Sequence, residues 1–244
     1  MTRYLKTRAV VLSSRPLGEA DRIVSVFTLS SGRLDAVVKG VRRTKSRWGG
    51  RLEPYGIVDL MLFRGRSLHT VTGAQLASVF THLREDREAL TAAAVACEAT
   101  AGLFGEEEEH ERVFNLLARA LREADKGFAG PASQAPLVLG VLLKLLHEAG
   151  YLPVLDHCVG CGERSLAVGF SAARGGLVCG NCVEDALPIA PAALAALRGA
   201  VEDPLAALRR AAPSRATAEA LRHVQALYTY HTGGRLRALR SVQR

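Results

Sequence analysis

Along the first eighty residues the apolar positions fall in short runs rich in β-branched side chains, each bounded by turn chemistry. Residues 5–13 (LKTRAVVLS) and 22–29 (RIVSVFTL) predict two strands around Pro16-Leu17-Gly18. A tight Ser30-Ser31-Gly32 connection leads to a third at 34–39 (LDAVVK). After an interruption containing Pro54, residues 56–63 (GIVDLMLF) and 68–79 (LHTVTGAQLASV) predict a hairpin across Gly65-Arg66-Ser67. Five strands in so short a span predict a small barrel. The OB-fold fits, and an SH3-like barrel fits the same strand count. From Thr81 the period lengthens: Leu83, Arg87, Leu90 and Ala94 recur at helical spacing within an alanine-rich run, and no strand pattern returns before Tyr151. Residues 113–123 predict a second amphipathic helix and 136–149 a third, opened by Pro136 and stopped by Gly150, with further helices at 191–200 and 217–230.

This pattern predicts an α+β multidomain chain. Residues 1–79 form an OB-fold β-barrel, 80–155 with 188–244 an α-helical domain, and 156–187 an inserted module. At 244 residues and 48% hydrophobic composition the chain can bury a substantial core. The longest apolar run, residues 137–146, is broken by Lys144 and is about half what a spanning helix needs. The amino terminus carries charge on both sides of a very short apolar run and does not read as a secretory signal. The expected location is the cytoplasm, with no membrane partner.

Charge then picks out a candidate surface. Residues 1–79 hold 14 Lys and Arg against 5 Asp and Glu, and residues 188–244 hold 9 against 3, whereas residues 80–155 hold 7 against 12. Such blocks imply a positive face on particular elements. The densest stretch, KGVRRTKSRWGGR at 39–51, has six basic residues, no acidic one and the chain's one tryptophan. Lys39, Arg42, Arg43, Lys45, Arg47 and Arg51 suit neutralisation of phosphates with counterion release, and Trp48 suits a stacking face or wedge. A solvated basic loop is the other reading the local sequence allows. The carboxy-terminal arginines 235, 237, 240 and 244, after Gly233-Gly234, either extend the same path or form an interaction tail or solvated end.

A second signal is chemical. Cys158-Val-Gly-Cys161 and Cys179-Gly-Asn-Cys182 are two C-x-x-C knuckles separated by seventeen residues, a zinc-ribbon spacing. In a reducing compartment this predicts a structural Zn²⁺ held by Cys158, Cys161, Cys179 and Cys182, with Gly160, Gly162 and Gly180 relieving the sterics of the knuckles. A redox pair or an iron–sulfur cluster shares the spacing, and His157 is placed to replace one thiolate. Four protein ligands leave no position for a catalytic water, so the metal's role is folding. Cys97, in an alanine-rich run, reads as a small buried hydrophobe.

No catalytic constellation emerges. Lys45-Ser46 resembles the end of a phosphate-binding loop but lacks the preceding glycine. Glu19, Asp21, Asp35, Glu53 and Asp59 could serve a nuclease metal, although sparse acids among arginines more often form ion pairs, and the histidines are scattered singly. The expectation is a binding protein, not an enzyme. An RNA-binding or ribosome-associated zinc protein and a metal-dependent nuclease stand as alternatives.

The run GEADRIVSVFTLSSGRLDAVVKGVRRTKSRWGGRLEP at 18–54 resembles the opening domain of the RecO family, bacterial mediators of DNA recombination and repair. The tetracysteine insert and HTGGRLRALRS at 231–241 are similar to corresponding segments of that family. The resemblance implies an N-terminal OB-fold, a helical domain and a zinc module. It also implies a cytoplasmic, nucleoid-associated protein that binds single- and double-stranded DNA and anneals complementary strands without ATP. The implied partners are RecR and single-stranded-DNA-binding protein; with RecR, and in some pathways RecF, members of the family help load the RecA recombinase.

Overall fold

The computed structural model describes residues 3–43, 46, 48, 50–65, 68–105, 108–164 and 167–242. Five strands, β1 (Tyr4–Leu17), β2 (Asp21–Thr28), β3 (Gly32–Val38), β4 (Ile57–Phe63) and β5 (His69–Ser78), close into a barrel in the order β1-β2-β3-β5-β4. β3 and β5 pair in parallel and every other pairing is antiparallel, which makes the barrel OB-like. The long β1 serves two neighbours. Its first half pairs with β4 from Tyr4 to Val10, its second half pairs with β2, and a bulge between Val11 and Ser13 turns it from one to the other.

The Pro16-Leu17-Gly18 segment departs from the expected turn, because β1 continues through Pro16, which faces Arg22, and the chain reverses only at Gly18 with φ +59°. Proline is tolerated there because β1 has already left β4, so one of its edges is open.

Residues 9–12 form an unbroken apolar run because both faces of that strand are buried. Ala9 and Val11 enter the barrel interior, whereas Val10 and Leu12 join Phe27 and Ile57 in packing outward against the helices. Barrel and helices therefore share an apolar core. Gly32 marks a second junction: its φ is +58°, and a Cβ there would lie 2.1 Å from the Glu108 carbonyl oxygen.

The helical body contains α1 (His82–Glu85), α2 (Arg87–Leu103), α3 (Glu111–Ala124), α4 (Ala135–Glu148), α5 (Pro191–Glu202), α6 (Leu205–Arg210) and α7 (Arg215–Thr232). The carboxylate of Asp86 caps α2 by accepting from the backbone amides of Glu88 at 2.7 Å and Ala89 at 3.0 Å. Ser214 caps α7, which ends on Gly233 with φ +68°. α4 is buried nearly all round and forms the centre of the body. Cys97 is buried as expected.

Among the described residues no helix is long and apolar enough to cross a membrane. Between α4 and α5 lies a small sheet of β6 (Ala167–Ser171), β7 (Gly176–Cys179) and β8 (Leu187–Pro188), in the order β7-β6-β8. Phe170 and Leu177 of this sheet belong to the helical core, and the Phe170 ring lies 5.3 Å from that of the buried His223.

Candidate nucleic-acid interface and metal centre

The basic segment joining β3 to β4 is built as a series of anchored turns. Asp21 Oδ1 accepts from the amide of Gly40 at 2.8 Å, and the amide of Arg42 donates to the Ala20 carbonyl at 3.0 Å, so the start of the segment is tied to the β1–β2 turn. Gly40 has φ +66°, which lets the chain leave β3 without strain. The amide of Ser46 donates to Arg43 and that of Arg51 to Trp48. Lys39, Arg42, Arg43 and Arg51 are exposed. Arg42 Nη1 donates to the Gly18 carbonyl at 3.1 Å and Arg51 Nη1 to the Trp48 carbonyl at 3.2 Å, so backbone oxygens help to orient both guanidiniums. Lys45 and Arg47 lie outside the described residues.

Trp48 corrects the expectation of a stacking face. It is 4% exposed, packs with Val38, Leu52 and Leu60 in the barrel interior, and donates from Nε1 to the Lys39 carbonyl at 2.9 Å. An indole amid so many basic side chains reads as a base platform from the sequence alone. The barrel uses it as an apolar plug that holds the segment down, and its polar edge is satisfied by backbone. Trp48→Ala should therefore destabilise the chain by about 3–5 kcal/mol in urea unfolding. As the chain's single tryptophan, it should emit at short wavelength and resist acrylamide quenching with and without DNA. A solvent-exposed emission spectrum would refute the plug.

The barrel's carboxylates do not converge. Asp59 holds Arg8 through two contacts of 2.8 and 3.1 Å, and Asp35 lies 3.8 Å from Arg15, while Asp21 is spent on Gly40. The Arg8 guanidinium, by hydrogen bond and charge, holds the Asp59 carboxyl below its ordinary value.

The carboxy-terminal arginines are not a loose tail. Leu236, Leu239 and Val242 are buried, and Glu98 of α2 accepts from the amides of Arg237 at 3.0 Å and Ala238 at 2.9 Å. Arg235 and Arg240 remain exposed, and Arg244 lies outside the described residues.

The four cysteines do converge. The sulfurs of Cys158, Cys161, Cys179 and Cys182 all lie within 4.8 Å of one another, and Cys161 Sγ is 3.8 Å from Cys179 Sγ. With a Zn–S bond of about 2.3 Å, a tetrahedron has sulfur–sulfur edges of roughly 3.8 Å, so the cluster has the dimensions of a four-thiolate metal site. Cys158 Sγ accepts from the amides of Cys179 at 3.3 Å and Gly160 at 3.4 Å. These amides, Cys179 foremost, draw its thiol down to about 6 against the desolvation that opposes ionisation, which favours the thiolate that a metal requires.

Gly160 is needed here, since a Cβ would meet the Cβ and Sγ of Cys182 at 2.9 Å, and Gly162 adopts φ +78°. Gly180 relieves nothing, because a Cβ there has no heavy atom within 4 Å. His157 is not a ligand either: it turns to Asp156, with Nδ1 2.9 Å from Oδ1, and stands outside the cysteine cluster.

A closed OB-like barrel with a pinned basic loop, sharing its core with a helical body that carries a tetracysteine module, defines the class: an α+β protein with an OB-like barrel and a cysteine cluster that could hold a metal ion. The family follows from comparison. Residues 1–80 match the model described as Recombination protein O N terminal, and residues 84–240 match Recombination protein O C terminal. The chain is 40% identical over 225 residues to a DNA repair protein RecO of Rubrobacter xylanophilus, covering 90% of this chain and 88% of that one. It is 38% identical over 251 residues to a DNA repair protein RecO of Nocardioides sp., covering 98% and 99%. It is also 44% identical over 180 residues to that of Frankia casuarinae, covering 72% of each. The chain belongs to the RecO family of DNA repair proteins.

Proposed function

We propose that this chain is a DNA-binding recombination mediator. It binds single- and double-stranded DNA through phosphates, using Lys39, Arg42, Arg43, Lys45, Arg47 and Arg51, and anneals complementary strands without ATP. With RecR, and in some pathways RecF, it helps place RecA on gapped DNA covered by single-stranded-DNA-binding protein. The observation that carries this reading is the pinned loop at one end of an OB-like barrel, where Lys39, Arg42, Arg43 and Arg51 are exposed and held by backbone contacts.

Such cations neutralise a polyanion without reading base edges, so binding is independent of sequence and weakens with salt. Screening the phosphates of two strands lowers the repulsion between them, and annealing follows without a chemical step. Cys158, Cys161, Cys179 and Cys182 hold a structural Zn²⁺ that keeps the module folded and does no chemistry of its own.

Mixing two complementary labelled oligonucleotides with the protein and no nucleotide should give annealing well above the spontaneous rate, with DNA competing better than RNA of the same sequence. No acceleration, or preferential competition by RNA, would overturn the reading. Cleavage of the labelled DNA on adding Mg²⁺ would favour the nuclease alternative.

A further inference from the structure

Region 80–155 is the acidic block of the sequence, yet on α3 the exposed bases share one face. From Arg112 onward, the exposed positions of α3 are Arg112, Asn115, Arg119 and Arg122. At 100° per residue these fall within a narrow stripe, and at 1.5 Å rise the outer pair span about 15 Å. The rest of α3 is spent on the core, through residues such as Val113, Leu117 and Leu121. Among the described residues none of the three arginines has an ion-pair partner, although Glu123 on the same helix is committed to Lys126 and Arg209. Glu111 stands at the helix start.

The stripe forms one wall of a groove of about 730 Å³, whose other wall is Lys144, His147 and Glu148 of α4. Lys144 is fixed in place: Nζ donates to the Ala200 and Val201 carbonyls at 3.1 and 2.8 Å, at the end of α5. Burial lowers its pKa, the charge of Asp203 opposes that effect, and the nearby charge of Arg119 adds to it. Four formal cations thus line a groove with one carboxylate, and two of them are near enough to repel. Lys144 is held by backbone carbonyls, whereas the three exposed arginines have no ion-pair partner among the described residues and present their charge to whatever anion enters the groove.

We propose that the α3–α4 groove is a second nucleic-acid site, holding the phosphodiester backbone of one DNA strand through Arg112, Arg119 and Arg122 above a floor charge at Lys144. The spacing supports this occupant. A strand advancing 3.4 Å per nucleotide offers about four phosphates over 15 Å, and the open stripe has no fixed pair of donors shaped for a single phosphoryl group. An acidic peptide would find charge here but few exposed apolar contacts, since the one large apolar side chain lining the groove, Leu116, is 5% exposed. The site shares no residue with the loop at 39–51. It goes beyond the proposed barrel interface, and with it one chain can carry two strands.

The test uses the full-length chain in three forms: wild type, Arg112→Gln/Arg119→Gln/Arg122→Gln, and a loop variant Arg42→Gln/Arg43→Gln. Each is titrated with fluorescent dT30 over a salt series and assayed for annealing. The substituted arginines are exposed, so thermal melting should be unchanged. Loss of three contacts to a single strand should reduce the magnitude of the log–log salt slope by about two, and annealing should slow at least about tenfold in the groove variant while its loop still binds. An unchanged slope and unchanged annealing in the groove variant, with both impaired in the loop variant, would overturn this inference and leave the barrel interface standing. If neither variant differed from wild type, both sites would fall. An oligoglutamate peptide that binds wild type but not the groove variant, with dT30 binding equal in the two, would assign the groove to a protein partner and likewise overturn it.

Discussion

Removing the proposed Zn²⁺, by chelation or by Cys161→Ser, should open residues 156–187 to protease and lower the unfolding temperature of the whole helical body. A structural zinc contributes on the order of 10–16 kcal/mol, comparable with the total stability of a typical domain at about 5–15 kcal/mol. Among the described residues the tetracysteine module has a three-stranded sheet and a small apolar cluster of its own, so without the ion it has little to hold it. The effect spreads because Phe170 and Leu177 leave with it: both are buried in the main core, and Phe170 lies against His223 of α7. Loss of one large buried aromatic contact costs about 3–5 kcal/mol, which for a chain of this size means a fall in melting temperature on the order of 10 °C. DNA binding at the barrel loop should survive, because its anchors, Asp21, Ala20 and Lys39, all lie within the barrel. Elemental analysis of purified protein is the direct check. Absence of stoichiometric metal, or a Cys161→Ser chain that melts with wild type, would remove the structural role.

What could be read in advance follows from how local each signal is. The five strands were legible because alternation and turn residues act over a few positions, as in β3, where Gly32, Leu34, Ala36 and Val38 face inward between more exposed neighbours. The cysteine site was legible because metal spacing is a property of the sequence itself. Trp48 was not, since nothing within ten residues says whether an indole points into a barrel or out of it; tertiary packing decides. α6 escaped because a six-residue helix has too few turns to show a period, and its place is set by Leu208 packing onto Gly140 of α4. The α3 arginines were hidden by summing charge over a region, an operation that discards which face each charge occupies. A count at helical spacing of residues 112, 119 and 122 would have found them.

Replacing Lys39, Arg42 and Arg43 together by Ala should weaken duplex binding by about 10²-fold at 0.15 M salt and flatten its log–log salt dependence by about 2.7, since each phosphate neutralised contributes about 0.9 to that slope. The loss should be the same on unrelated sequences, because these side chains meet the backbone and carry no fixed geometry for base edges. Folding should be little affected: all three are exposed, the contacts through the Lys39 carbonyl and the Arg42 amide do not depend on side chains, and the side-chain bond that is lost, from Arg42 Nη1 to the Gly18 carbonyl, is solvent-exposed. Arg43→Glu should go further and slow annealing more than the neutral change, because a carboxylate on the loop repels both strands instead of screening them. The salt series separates these effects from a folding defect, which would lower the active fraction without changing the slope. If the triple variant bound and annealed like wild type at moderate salt, the loop would be a solvated basic segment and DNA would have to be held elsewhere, with the α3–α4 groove the first place to look.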